Sequence, residues 1–180
     1  MKGIVFTEFL EMVESKYSAD VVDEILDDGV LPSGGIYTSV GTYDHGEMIS
    51  LLTALGKHTG LGNQKLLCIF GEYLFGRFAG LYPEFFGATD NALMFLSKVD
   101  DYIHVEIRKL YPDAELPEFD CDGPREGVLQ MTYRSERPFA ALAEGLIRGC
   151  IAHYGQSVDV RIEDLSGGRQ TSVRFVLTES

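Results

Sequence analysis

A short run in the second half of the chain carries three side chains suited to binding an anion. The run is Tyr133-Arg134-Ser135-Glu136-Arg137. Because side chains alternate along an extended segment, Tyr133, Ser135 and Arg137 share one side. A phenol, a hydroxyl and a planar guanidinium fork together suit carboxylates or a phosphate. Judged by the spacing of these three residues alone, an ordinary exposed strand end is more common than an anion-binding site.

A second group, His104, lies inside a helical pattern between two β-branched aliphatic residues. An imidazole in such a place needs a polar partner if it is buried, and its neutral form can ligate a metal. A lone helical histidine is still more often a core or boundary residue. His45 and His58 lie in or beside polar, glycine-containing turns, and His153 lies near the end of a helix, which indicates structural or solvated roles for these three.

The elements that must position these groups are helical in the first part of the chain. Apolar residues recur at helical spacing, and Asp20 and the pair Asp44-x-x-Glu47 are predicted to cap the second and third helices. The predicted helices run over 2–17, from Asp20 to Gly29, from Asp44 to an end between Gly56 and Gly60, from Asn63 to near Pro83, and from about Asp90 to Leu110.

Beyond Pro112 the pattern changes to loops and strands. Pro117, Gly123 and Pro124 indicate a loop, Val128–Tyr133 a strand, and a helix is predicted from Pro138 to about Tyr154. Two alternating segments joined by a glycine turn at 166–169 predict a closing antiparallel hairpin. Helices first and strands last predict an α+β fold: a helical N-terminal part followed by a mixed part with a C-terminal antiparallel sheet.

Length and charge limit the possible partners. The 180 residues fit one domain, 1–180, and the formal net charge of −13 disfavours nucleic acid and anionic membrane surfaces. Glutamates interrupt the N-terminal apolar stretch, so neither a signal peptide nor a membrane span is expected. Cys68, Cys121 and Cys150 lie far apart without a Cys-x-x-Cys spacing, which is typical of reduced thiols in a cytoplasmic protein.

Taken together, the histidine and the triad resemble those of the heme-nitric oxide/oxygen binding (H-NOX) domains, found as stand-alone bacterial proteins and in soluble guanylate cyclase. The resemblance spans essentially the whole chain. It rests on the opening Met1-Lys2-Gly3, the segment Tyr17–Leu26, the helix with Gly71 and Phe78, His104 followed by Pro117, and Tyr133-x-Ser135-x-Arg137. It implies the H-NOX fold, with heme buried between the helical part and the mixed part.

The resemblance also implies a set of site residues. His104 is similar to the proximal ligand of a b-type heme, Tyr133, Ser135 and Arg137 to the clamp on its propionates, and Pro117 to the proline that presses on the porphyrin. The matching distal positions are Val5, Phe9, Leu74, Phe78, Leu142 and Leu146, each of which is as readily a plain core residue.

Family members that bind oxygen stably carry a tyrosine where this chain has Leu142, and supporting polar residues where it has Phe9 and Leu74. Bound oxygen carries negative charge and benefits from a hydrogen bond, whereas nitric oxide binds iron tightly without one. The resemblance therefore implies a sensor of nitric oxide, with carbon monoxide possible and stable oxygen binding not expected.

The expected function is non-enzymatic gas sensing, with the signal passed to a separate histidine kinase or cyclic-di-GMP-metabolising enzyme. Breakage of the iron bond to His104 is expected to release its helix as a lever. Two alternatives stay open from the residues alone. One is a small acid–base or metal enzyme using Asp100, Asp101, Glu106 and His104, and the other is a cofactor-free acidic adaptor.

Overall fold

The computed structural model describes residues 1–87 and 89–180 and has the predicted α+β architecture. The chain divides into two compact units, Met1–Phe70 and Gly71–Ser180. The elements in chain order are α1 Gly3–Lys16, α2 Ala19–Asp28, α3 His45–Thr59, α4 Asn63–Leu81, a 3₁₀ turn Pro83–Phe85, α5 Ala92–Leu96, a π segment Val99–Ile103, α6 His104–Leu110, β1 Glu118–Arg125, β2 Val128–Arg134, α7 Ala140–His153, β3 Val158–Asp164 and β4 Ser172–Glu179.

The first unit is helical, and its helix starts differ slightly from prediction. Asp44 caps α3 as predicted, its carboxylate accepting from the Gly46 amide at 2.8 Å. Ser18 caps α2 by accepting from the Val21 amide, so the prediction of Asp20 as the cap was wrong. Ser18 has the extended backbone of a capping residue, whereas Asp20 already lies in the first helical turn.

Glu47 has a different role from the one predicted for it. Its buried carboxylate accepts from Ser33 Oγ at 2.5 Å and from the Tyr37 hydroxyl at 2.8 Å. The Tyr37 ring stacks on Phe6 of α1, with centroids 4.5 Å apart. A buried carboxylate needs such partners, so Glu47 ties the loop before α3 to the core of the first unit.

The second unit is built on one antiparallel sheet in the order β1-β2-β4-β3. The predicted β3–β4 hairpin and the strand β2 are confirmed, with β2 and β4 pairing from Val128 opposite Thr178 to Arg134 opposite Ser172. Strand β1 was predicted as loop. Its Gly123 and Pro124 are tolerated because β1 is an edge strand, paired with β2 alone.

The prediction of one continuous helix from Asp90 to Leu110 was wrong. The structure divides this stretch into α5, the π segment and α6. The Ser97 hydroxyl donates to the Met94 carbonyl at the end of α5. Within the π segment, the Ile103 amide donates to the Lys98 carbonyl five residues before it. The His104 amide likewise donates to the Val99 carbonyl. Helix α7 begins at Ala140 rather than Pro138.

Helices α4 and α7 approach each other closely where α4 enters the second unit. A Cβ on Gly71 would lie 2.4 Å from the Leu142 carbonyl oxygen and 2.8 Å from the Leu146 amide nitrogen. Only glycine fits this contact without displacement of a backbone, so Gly71 fixes how α4 lies against Leu142 and Leu146. The α7 residues Ala143, Ile147 and Cys150 belong to the same buried cluster as the β4 residues Val173 and Phe175.

No helix in the described ranges is both long enough and apolar enough to cross a membrane.

Candidate functional site

His104 is the first residue of α6 and lies directly after the π segment. Its side chain is 8% exposed, and its Nδ1 donates to Asp100 Oδ1 at 2.9 Å. Within the described part of the chain, Nε2 makes no hydrogen bond. Burial lowers the pKa of His104, and the hydrogen bond to Asp100 opposes this only in part. The imidazole is therefore neutral at physiological pH, with Nε2 open to a ligand.

The triad lies at the end of β2. Tyr133 is buried and its hydroxyl donates to the Arg137 carbonyl at 3.1 Å, while the Arg137 amide donates to Ser135 Oγ at 3.1 Å. Burial also raises the pKa of Tyr133, which keeps the phenol protonated. These bonds fold the chain back on itself after β2, and the structure brings Tyr133, Ser135 and Arg137 together.

The Arg137 guanidinium already has an anionic partner, Glu115, which the sequence analysis missed. One guanidinium nitrogen donates to the Glu115 backbone carbonyl at 3.2 Å, and another is paired with the Glu115 carboxylate. The Arg137 side chain is 18% exposed and that of Glu115 is 75% exposed. The cation is thus held by the protein, whereas its carboxylate partner stands in solvent. No sequence pattern couples these two residues, which are 22 positions apart.

Phe119 joins the two groups. Its ring centroid is 5.9 Å from that of His104 and 5.7 Å from that of Tyr133, its cross-strand partner on β2. The imidazole and the triad therefore flank one aromatic ring. The sequence analysis missed Phe119, although its alternation with Cys121 between acidic residues was a readable strand signal. Pro117 lies just before β1 and is half-buried.

The predicted apolar positions are divided among three helices. Leu74 and Phe78 lie on α4 and Leu142 and Leu146 on α7, where Leu74 is buried and the other three are half-buried. Val5 and Phe9 lie on α1 in the first unit. Phe9 is buried there, with its ring edge on that of Phe70 at 5.2 Å, and Val5 is half-buried.

The donors in the second unit fit a heme. A neutral imidazole with an open nitrogen suits iron, and a phenol, a hydroxyl and a guanidinium suit two carboxylates. Half-buried leucines on α7 add apolar surface of the kind a porphyrin face needs. By contrast, no three His, Cys, Asp or Glu side chains of residues 1–87 and 89–180 are grouped to hold a bare metal ion.

Comparisons with known proteins also indicate a heme-binding family. A family model described as "Haem-NO-binding" matches residues 2–162. The unliganded Fe(II) H-NOX protein of K. algicida is 36% identical, with a TM-score of 0.94 over 100% of this chain and 97% of that one. The Fe(II)CO H-NOX of Shewanella woodyi, bound to IWP-051, is 37% identical, with a TM-score of 0.83 over 100% and 95%.

The H-NOX protein of S. oneidensis in its Fe(II)NO state shares the fold at 23% identity, with a TM-score of 0.91 over 100% of this chain and 99% of that one. A search of curated proteins found no match. The family model covers most of the chain and includes both His104 and the triad. The chain therefore belongs to the Haem-NO-binding (H-NOX) family, whose members are heme-containing gas-sensor domains rather than enzymes.

Proposed function

We propose that this protein is a nitric oxide sensor in which residues 1–180 act as one domain and His104 is the axial ligand of a ferrous b-type heme. The observation that carries the proposal is the state of His104: a buried, neutral imidazole whose Nδ1 is bound to Asp100 and whose Nε2 is open. His104 also contacts the Phe119 ring, which in turn contacts Tyr133 of the triad.

Tyr133, Ser135 and Arg137 hold the two propionates in this proposal. Arg137 provides the charge, and the hydroxyls of Tyr133 and Ser135 provide neutral donors beside it. Pro117, which lies in the chain between α6 and strand β1, is the residue that would press on the porphyrin in this proposal. Val5, Phe9, Leu74, Phe78, Leu142 and Leu146 supply the apolar distal surface.

The side chains at the proposed distal positions decide which gas binds. Ferrous heme, when bound, supplies the iron at which diatomic gases bind. Leu142, Phe9 and Leu74 have no hydrogen-bond donor to offer a bound gas, and oxygen depends on such a donor more than nitric oxide or carbon monoxide does. We therefore propose nitric oxide as the signal, carbon monoxide as a possible ligand and no stable binding of oxygen.

The proposed signal starts at His104, because this residue begins α6 and is bonded to the π segment before it. If heme iron holds the imidazole, loss of that bond would remove one constraint on α6 and would change the surface offered to a partner. We propose a histidine kinase or a cyclic-di-GMP-metabolising enzyme in the cytoplasm as that partner. The charge of −13 disfavours nucleic acid and anionic membranes.

Absorption spectra of the reduced protein test the proposal. Under argon, carbon monoxide and nitric oxide we expect three distinct heme spectra, and in air a spectrum that stays unliganded or oxidises slowly. A stable oxygen complex would contradict the selectivity. A protein that takes up no heme when heme is supplied would contradict the function itself and favour a cofactor-free adaptor or an Asp100–His104 enzyme.

A further inference from the structure

Asp100 accepts two hydrogen bonds on the same carboxylate oxygen. His104 Nδ1 lies 2.9 Å from Asp100 Oδ1, and the backbone amide nitrogen of Phe119 lies 3.3 Å from it. The first donor belongs to α6, and the second belongs to β1, 19 residues away from Asp100. One carboxylate oxygen thus joins the imidazole to the edge strand of the sheet.

The surroundings of Asp100 make this oxygen a strong acceptor. The Asp100 side chain is 36% exposed, so solvent reaches the carboxylate and supports its charge, while the His104 side chain is buried. A carboxylate that accepts from Nδ1 fixes both the tautomer and the ring orientation of the imidazole. It also raises the electron density at Nε2, the nitrogen that faces a metal. The charge of Arg108, one helical turn beyond His104, lowers the pKa of the imidazole, whereas Asp100 raises it.

We propose that Asp100 is a positioning residue for His104: it strengthens the donation of Nε2 to iron and keeps the imidazole attached to β1 when the iron bond is lost. This inference rests on the proposed role of His104 as the axial ligand. Because the Asp100 bonds to His104 and to Phe119 involve no iron, both can persist after His104 is released. Movement of the freed α6 would then also move the Phe119 end of β1. Without the Asp100 bonds, the His104 side chain could rotate freely and β1 would not move.

The matched control is the neighbouring carboxylate. Asp101 is exposed and, in the ranges that the structure describes, makes no hydrogen bond or ion pair, although its charge acts on the Cys121 thiol. Asp101→Asn therefore removes the same charge from the adjacent position without touching His104 or Phe119. Asp100→Asn keeps the side-chain shape but weakens the acceptor, and Asp100→Ala removes it.

The first measurement is the iron–histidine stretching frequency in the resonance Raman spectrum of the reduced, unliganded holoprotein. We expect Asp100→Ala to lower this frequency, Asp100→Asn to lower it by less, and Asp101→Asn to leave it unchanged. The second measurement is hydrogen exchange of the Phe119 amide in the carbon monoxide complex. Loss of one hydrogen bond predicts exchange roughly fivefold faster in Asp100→Ala than in Asp101→Asn.

The outcomes separate this inference from the function on which it rests. If His104→Gly keeps the same stretching mode, His104 is not the ligand and both proposals fall. If the mode is lost in His104→Gly but unchanged in Asp100→Asn and Asp100→Ala, the positioning role alone is overturned. A frequency that drops without any change at the Phe119 amide would overturn the link to β1 and leave only the electronic effect.

Discussion

The imidazole and the triad are held in opposite ways. His104 takes its polar partner, Asp100, from the helical segment directly before it, four residues away, and the imidazole is buried. Arg137 takes its partner from an exposed loop residue, Glu115, 22 positions away. The imidazole can keep Asp100 while it binds iron through Nε2. In the proposed heme-bound state a propionate would compete with Glu115 for the donors of the Arg137 guanidinium.

We infer from this difference that the position of the proposed ligand is set by the local chain, whereas the strength of the proposed propionate clamp depends on competition with Glu115. Four substitutions test it, in order of decreasing expected effect.

The largest effect is expected from His104→Gly. This change removes the proposed axial ligand, so we expect loss of the native ferrous spectrum and its return when imidazole is added. His58→Gly is the control, because His58 pairs with Glu24 on the surface of the first unit and both changes place glycine in a helix. Absorption spectra and heme content measure the result. An unchanged spectrum in His104→Gly would refute the assignment.

Arg137→Ala should weaken the clamp without changing the ligand. A charge-assisted hydrogen bond contributes roughly 1.5–3 kcal/mol, so heme dissociation should be about 10–100 times faster. The control is Arg134→Ala, since Arg134 lies on the other side of the strand and pairs with Asp120 at 3.8 Å. Transfer of heme to an excess of apomyoglobin gives the rates. Equal rates in the wild type and Arg137→Ala would exclude a role for Arg137 in holding heme.

Glu115→Gln should have a smaller effect of the opposite sign. A neutral amide competes less well than a carboxylate for the Arg137 guanidinium, so heme should bind faster or dissociate more slowly, by a few-fold at most because Glu115 is exposed. Glu118→Gln removes an exposed charge from the same stretch of chain and serves as the control. If Glu115→Gln loses heme faster than the wild type, Glu115 supports the clamp rather than competing with it.

The smallest gain is expected from Leu142→Tyr. The phenol would add a hydrogen-bond donor on α7, but Phe9 and Leu74 offer no polar group to orient it. We therefore expect at most a weak, short-lived oxygen complex, detected by stopped-flow absorption when the reduced protein is mixed with oxygen. A stable complex in this variant would show that orientation by a second polar residue is unnecessary in this chain.

The sequence predicts the strongly periodic elements well. Helices α1 and α4 and the β3–β4 hairpin follow from apolar spacing, because that spacing reflects which face is buried. The break after α5 was missed because the apolar stripe continues through Leu96, Val99 and Ile103 across it. Apolar periodicity indicates which residues are buried, but it does not indicate the i→i+5 hydrogen bonds that define a π segment.

The polar partners of the site were harder to predict. Asp100 was visible one turn before His104, but its second bond, to the Phe119 amide, depends on β1, which was predicted as loop. Glu115 meets Arg137 only through the fold of the chain between them. Long-range side-chain pairs of this kind leave no local pattern in the sequence.

The π segment makes the spacing between Asp100 and His104 sensitive to chain length. A π turn holds one residue more than an α turn, so deletion of a single residue there, for instance Tyr102, can restore ordinary helical bonding without rotating α6. The helix would survive while Asp100 and His104 became three residues apart. Insertions and deletions in related sequences should therefore be rarer between positions 100 and 104 than in the loop that follows α6. The backbone can adjust to a change of length in either segment, but only the first segment sets the spacing of Asp100 and His104.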